Sequence, residues 1–180
     1  MTTYVVISGV PAAGKSTVGA ALASRAKLPL FDKDDFLERL FALSLPTTPL
    51  DRRQLSHRAD REFQSAVESS EGGIVVSWWK HPKSDRDSGT PTDWLLNLPG
   101  RLVEVYCQCS PQVAMARFLS RRRHPGHLDE LWSNQELGAL LEQSSSLGPL
   151  QIGGMVEVDC SVSVDYGNVW TRLMEQCQET

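Results

Sequence analysis

Cysteine is scarce in this chain and badly placed for either of its common tasks. The four thiols, Cys107, Cys109, Cys160 and Cys177, form no CxxC pair and no dense array. That spacing argues against a zinc or redox centre and against a disulfide framework, and leaves reduced, buried thiols as the expectation, with Cys107 and Cys109 on one face of a strand. A long apolar run is also missing: no stretch of about 18 hydrophobic residues exists to span a bilayer. The N-terminus enters an apolar segment at Tyr4 with no charged leader before it, so a cytoplasmic protein is expected. There is no basic excess either. Eighteen Lys and Arg stand against 22 Asp and Glu, and the net charge of −4 counts against a chain held on nucleic acid or an anionic membrane by its overall field. Repeats and low-complexity tracts are absent, and 180 residues suit one domain over 1–180.

What is present is a loop. Gly9-Val10-Pro11-Ala12-Ala13-Gly14-Lys15-Ser16-Thr17 completes the pattern GxxxxGK[ST] between an apolar strand, Tyr4 to Ile7, and an alanine-rich helical segment from Val18 to Ala26. Such a loop turns backbone N–H groups inward around phosphate oxygens, and the positive end of the following helix favours the same anion. Lys15 is placed to reach the β- and γ-phosphates and Ser16 to give its hydroxyl to Mg²⁺. The expected ligands are therefore ATP, or another nucleoside triphosphate, and Mg²⁺.

Apolar strand-like segments recur at 4–8, 28–31, 73–78, 102–107 and 155–159, and helical periodicity fills the intervals, at 15–26, 34–44, 51–70, 91–97, 111–123, 129–143 and 165–178. Alternation of this kind predicts an α/β fold with a doubly wound parallel sheet of five strands and helices on both faces. Ligands in such sheets bind beyond the carboxyl ends of the strands, which directs attention to the loops 9–16, 32–35, 77–90, 108–111 and 160–165.

The second of these loops reads Asp32-Lys33-Asp34-Asp35. Phosphoryl transfer needs one carboxylate to orient the attacking hydroxyl and take its proton, and Asp34, where strand gives way to helix, is the choice. Asp35 fits a first-turn charge complementing the helix dipole and also borders the acceptor space. Asp32 is a candidate for Mg²⁺, and Lys33 reads as solvated. No acid ends the third strand, Ile74 to Val76, so Ser77 is left to serve a metal through its hydroxyl or a water. Trp78 and Trp79 alternate across the strand end, and one of them is expected to face the acceptor.

Arg117-Phe118-Leu119-Ser120-Arg121-Arg122-Arg123-His124-Pro125-Gly126-His127 gathers arginines at a helix end. Arg117 and Arg121 are spaced to share a helix face, and the Pro125-Gly126 stop favours a mobile cover over 117–135 whose arginines stabilise a transferring phosphoryl group. His127 is read as packing in that cover or bonding substrate; His57 and His81 carry no motif.

Taken together, the phosphate loop, the acidic loop after strand two and the arginine segment ending in His124-Pro125-Gly126-His127 resemble small P-loop kinases of the zeta-toxin, chloramphenicol-phosphotransferase and polynucleotide-kinase type. The resemblance implies the sheet order 2-3-1-4-5, ATP·Mg as phosphoryl donor, Asp34 as base, and Gly9, Pro11, Ala12, Ala13, Gly14, Lys15, Ser16 and Thr17 around the phosphates. It implies lid arginines at Arg117, Arg121 and Arg123, with the register ambiguous, and a border to the adenine around Ser161 to Asp165. The function so implied is transfer of the γ-phosphate to a hydroxyl of a small molecule. A kinase for nucleic-acid 5′ ends and a non-catalytic nucleotide switch are the alternatives, and oligomeric state is left open.

Overall fold

The computed structural model describes residues 2–178. Five strands form one parallel sheet in the order β2-β3-β1-β4-β5, with β1 at Thr3–Gly9, β2 at Leu30–Asp32, β3 at Gly73–Val76, β4 at Arg101–Gln108 and β5 at Gly154–Asp159. The expected order is observed. Six α-helices join them: α1 (Lys15–Ala26), α2 (Lys33–Leu43), α3 (Pro49–Glu68), α4 (Pro111–Ser120), α5 (Asn134–Leu147) and α6 (Tyr166–Gln178).

The central strands are buried on both faces, which is why they read as continuous apolar runs. Alternate residues go to opposite layers. Val5, Ile7, Ile74 and Val76 join Val18 and Leu22 of α1 and Val169 and Leu173 of α6, whereas Tyr4, Val6 and Val75 join Phe63 and Val67 of α3 with Trp79 and Trp94. Leu37, Leu40 and Phe41 of α2 pack on Ala59 of α3, making a smaller third cluster that fixes those two helices together. Buried Glu104 on β4 accepts from the Ser8 hydroxyl and from the backbone N–H groups of Leu150 and Gln151, both at 2.8 Å, and so secures the turn entering β5.

Several boundaries differ from those expected, each for a local reason. β2 runs on to Asp32, whose carboxylate caps α2 by accepting from Asp34 N at 3.1 Å. Thr48 and Asp51 form a reciprocal capping box with Pro49 at the first helical position, which starts α3 two residues early. The expected helix 111–123 ends at Ser120, because Arg121 takes an extended conformation ahead of the Pro125 turn. Beyond it, after a short 3₁₀ turn at Pro125–His127, the expected helix 129–143 begins as a second 3₁₀ turn, Asp129–Leu131, and continues as α5, whose own capping box joins Ser133 and Glu136. The segment 91–97 is likewise a 3₁₀ helix, Asp93–Asn97. β3 stops at Val76, and the chain beyond it turns aside so that the hydroxyls of Ser77 and Thr90 meet at 2.6 Å.

Candidate active site

The loop from β1 to α1 lies at the carboxyl edge of the central strand. Gly9 leaves the strand at φ 132°, with its Cα pressed against the Cys107 carbonyl so that no side chain fits there. Gly14, at φ 98°, is the N-cap of α1 and supplies no side-chain cap, so the first N–H groups of the helix face the loop. Between them Ala12 sits at φ 60°, a left-handed conformation that costs a non-glycine residue about 1–2 kcal/mol. Lys15 is buried, with Nζ donating to the carbonyls of Gly9 at 3.0 Å and Val10 at 2.8 Å. Among the described residues no carboxylate lies within ion-pair distance of it. Burial lowers its pKa to about 8, an ammonium held ready for an anion.

The acidic segment after β2 divides into distinct environments. Asp32 is buried; burial pushes its carboxyl above the usual range, while the neighbouring Ser16 hydroxyl opposes that rise. Asp34 stands in the first turn of α2 with its Oδ2 2.5 Å from Nη2 of Arg123. Burial alone would raise its pKa, but the fields of Arg123, His127 and Lys15 outweigh that and hold the carboxyl below its ordinary value. Asp35 is exposed and does not line the crevice, which leaves the helix-dipole reading for it in place of a contact with the acceptor. Lys33 is not solvated: its Nζ is 2.6 Å from Asp60 and 3.0 Å from the Ser56 hydroxyl, both on α3.

Trp78 and Trp79 separate as the alternation requires. Trp78 lines the crevice. Trp79 is core, with its indole N–H donating to the Ile7 carbonyl at 2.9 Å and its ring against Phe63 and Trp94, and it is thereby removed from the acceptor set. Ser77 lines the crevice as well, its hydroxyl shared with Thr90.

The arginines are spread along the opposite wall. Arg117, in the last turn of α4, points at the phosphate loop, with Nη1 3.5 Å from the Ala13 carbonyl. Arg121 is the residue capping α4; its guanidinium lies 4.1 Å over the Phe118 ring and 3.1 Å from Asp129. Arg123 bridges Asp129 and Asp34. Arg117 and Arg121 therefore do not share a helix face, yet all three reach one crevice. His127 is almost fully buried, 2.8 Å from Glu38 and edge-on to Phe41, and does not line the crevice, so its proposed contact with substrate is corrected to packing of the turn on α2.

The remaining wall is one face of α3: Arg52, Arg53, Ser56, His57 and Asp60 all line the crevice. These went unread because a polar face on a long helix looks solvated. The only signal was spacing, i, i+1, i+4, i+5 and i+8, which puts them on one side.

The donor set fits the expected ligands. The loop offers N–H groups and a buried ammonium to phosphate, and Ser16 with Asp32 offers the hard oxygen donors that Mg²⁺ takes. No cluster of three or more His, Cys, Asp or Glu that could hold a metal by itself occurs among the described residues. The cysteines are free thiols, as expected.

Sheet order, loop and crevice define an α/β P-loop kinase fold. Residues 11–77 match the family model for shikimate kinase, well under half of the chain. A shikimate kinase from Bradyrhizobium diazoefficiens is 33% identical over 72 residues, which are 40% of this chain and 34% of that protein. The matched part thus spans about a third of that curated relative. The crystal structure of a presumed kinase from Chloroflexus aurantiacus superposes with a TM-score of 0.79 at 26% identity, covering 99% of this chain and 100% of the other. Shikimate kinase from Bacteroides thetaiotaomicron gives 0.65 at 19% identity, covering 98% and 99%. These matches carry the broader resemblance, to small P-loop kinases. They do not single out the zeta-toxin, chloramphenicol-phosphotransferase or polynucleotide-kinase type.

Proposed function

We propose that this protein is an ATP-dependent phosphotransferase acting on a hydroxyl of a small molecule. The observation that carries the reading is the convergence of Lys15 and Asp34 on one crevice, an anion-seeking ammonium facing an ionised carboxylate across the space where γ-phosphate and acceptor would meet. Loop N–H groups and Lys15 bind the phosphates. Ser16 and Asp32 would hold Mg²⁺ directly or through water, and the ion would supply charge neutralisation to the phosphates. Asp34, kept ionised by Arg123, accepts the proton of the attacking hydroxyl as the oxygen–phosphorus bond forms and the bond to ADP breaks. Arg117 and Arg121 stabilise charge on the transferring group once the segment between α4 and α5 closes as a lid. Trp78 and the α3 face surround the acceptor.

Calorimetry with Mg·ATP, followed by γ-phosphate transfer to a panel of shikimate, sugars, nucleosides and hydroxylated antibiotics, tests this. The reading requires binding that Lys15→Ala weakens and at least one phosphorylated acceptor. Tight binding with no transfer to any acceptor or to water would support a nucleotide switch instead.

A further inference from the structure

We infer that Arg52, on α3, is an additional catalytic residue that grips the transferring phosphoryl group from the α3 wall, where that wall meets the turn after α4. The inference rests on the phosphotransferase reading.

Arg52 differs from both arginines of the turn after α4 that reach Asp129. Arg121 is paired with Asp129, and Arg123 with both Asp129 and Asp34. Arg52 is partly buried and lines the same crevice, yet among the described residues no carboxylate lies within ion-pair distance of it. Its Nε donates to the His127 carbonyl at 2.9 Å, which fixes the side chain without neutralising it. Burial and then the repulsion of Arg123 both work against its charge, with Asp34 and Asp129 in partial opposition. A guanidinium held by one neutral oxygen beside a second cation is short of an anion, and its terminal nitrogens offer a fork suited to phosphate oxygens.

Its position says which anion. The attacking oxygen and the γ-phosphorus must come within about 3–3.5 Å of each other at the base. Arg52 is hydrogen-bonded to the His127 carbonyl, four residues beyond the Arg123 that meets Asp34, and Ser56, one turn along α3 from Arg52, holds the ammonium of Lys33 beside Asp34, which places Arg52 at that end of the crevice. The more exposed cations Arg53 and Lys80 already share Asp87, in the part of the crevice between α3 and the loop after β3. Arg52 is therefore assigned to the phosphoryl group, which gains its diffuse negative charge in transit.

The test needs no identified acceptor. Wild type, Arg52→Ala and Arg52→Lys are titrated with Mg·ADP, then with Mg·ADP plus aluminium fluoride, and acceptor-free ATP hydrolysis is measured at saturating ATP, with melting temperatures alongside. Arg52→Ala should keep its ADP affinity within about twofold, lose at least tenfold of the added affinity that fluoride confers, and hydrolyse ATP about a hundredfold more slowly. Arg52→Lys should recover part of both, since it restores the charge and not the fork. A fluoride gain and a hydrolysis rate equal in wild type and Arg52→Ala overturn the inference, as does a wild type with no fluoride gain and hydrolysis indifferent to the substitution. A wild type that fails to bind Mg·ADP at all is a different result and overturns the phosphotransferase reading itself.

Discussion

Asp34 and Arg123 lie 89 positions apart in the chain and meet at 2.5 Å across the crevice, joining the first turn of α2 to the stretch after α4. The contact ties the carboxylate proposed as base to the segment proposed as lid. Asp129 accepts from both Arg121 and Arg123, so a lid movement that releases one arginine disturbs the other.

With Asp34 as the proposed base, the pair should set the acid limb of activity. Arg123 lowers the Asp34 carboxyl below its ordinary value, so the folded state favours the ionised form. The stabilisation is complete above the unfolded-chain pKa of about 3.9 and is lost as pH falls through the lower folded value. Arg123→Ala should therefore move the acidic inflection of kcat/KM to higher pH, and Arg123→Lys should move it less. A profile that stays in place would remove Arg123 from control of the base.

Lys15 makes nucleotide binding depend on pH in the opposite range. Its folded pKa of about 8 lies below the ordinary 10.5. Between those values the unfolded chain holds a proton that the folded chain has released, so the stability of the free protein rises with pH across that window. Triphosphate beside the amine restores the charge. Calorimetry at pH 8.5 in buffers of different ionisation enthalpy should show uptake of roughly half a proton or more on binding Mg·ATP, against roughly a tenth at pH 7. Equal uptake at both pH values would show that Lys15 does not face the phosphates.

The two tryptophans should separate stability from function. Trp79→Ala removes a buried ring from the cluster with Phe63 and Trp94 and should cost about 3–5 kcal/mol in denaturant unfolding. Trp78→Ala should cost much less and instead raise the acceptor KM, since that ring lines the crevice. A large stability loss at Trp78 with unchanged kinetics would reverse the assignment.

How far these roles could be read in advance depended on the range of the interaction. Phosphate-loop spacing and strand–helix alternation are local, and both survive in the structure. Helix ends are set by short-range chemistry too: Ser110 caps α4 by accepting from the Val113 N–H, with Pro111 as its first residue. Lys33 could not be read, because what buries it is Asp60 and Ser56 on another helix. For His127 the two readings, packing or substrate contact, could not be separated for the same reason, because the partners that pack it, Glu38 and Phe41, lie on α2. The lid arginines were ambiguous in a run of three, and only the early end of α4 and the placing of Asp129 separate Arg117 at the loop from Arg123 at the base. Asp34 and Asp35 are neighbours in sequence, yet the rotation of about 100° between successive helical residues leaves one lining the crevice and the other exposed.

That last contrast supplies the most direct test of the central claim, that Asp34 is the base of a phosphoryl transfer. Transfer of labelled γ-phosphate from ATP to an accepted alcohol, or to water where none is found, is compared for wild type, Asp34→Asn and Asp35→Asn, with Mg·ATP affinity and melting temperature measured on the same samples. The account predicts that Asp34→Asn lowers turnover by about a hundredfold to ten-thousandfold while folding and binding nucleotide. Asp35→Asn should retain turnover and lose only about 0.3–1 kcal/mol of stability. Undiminished transfer by Asp34→Asn would contradict the account.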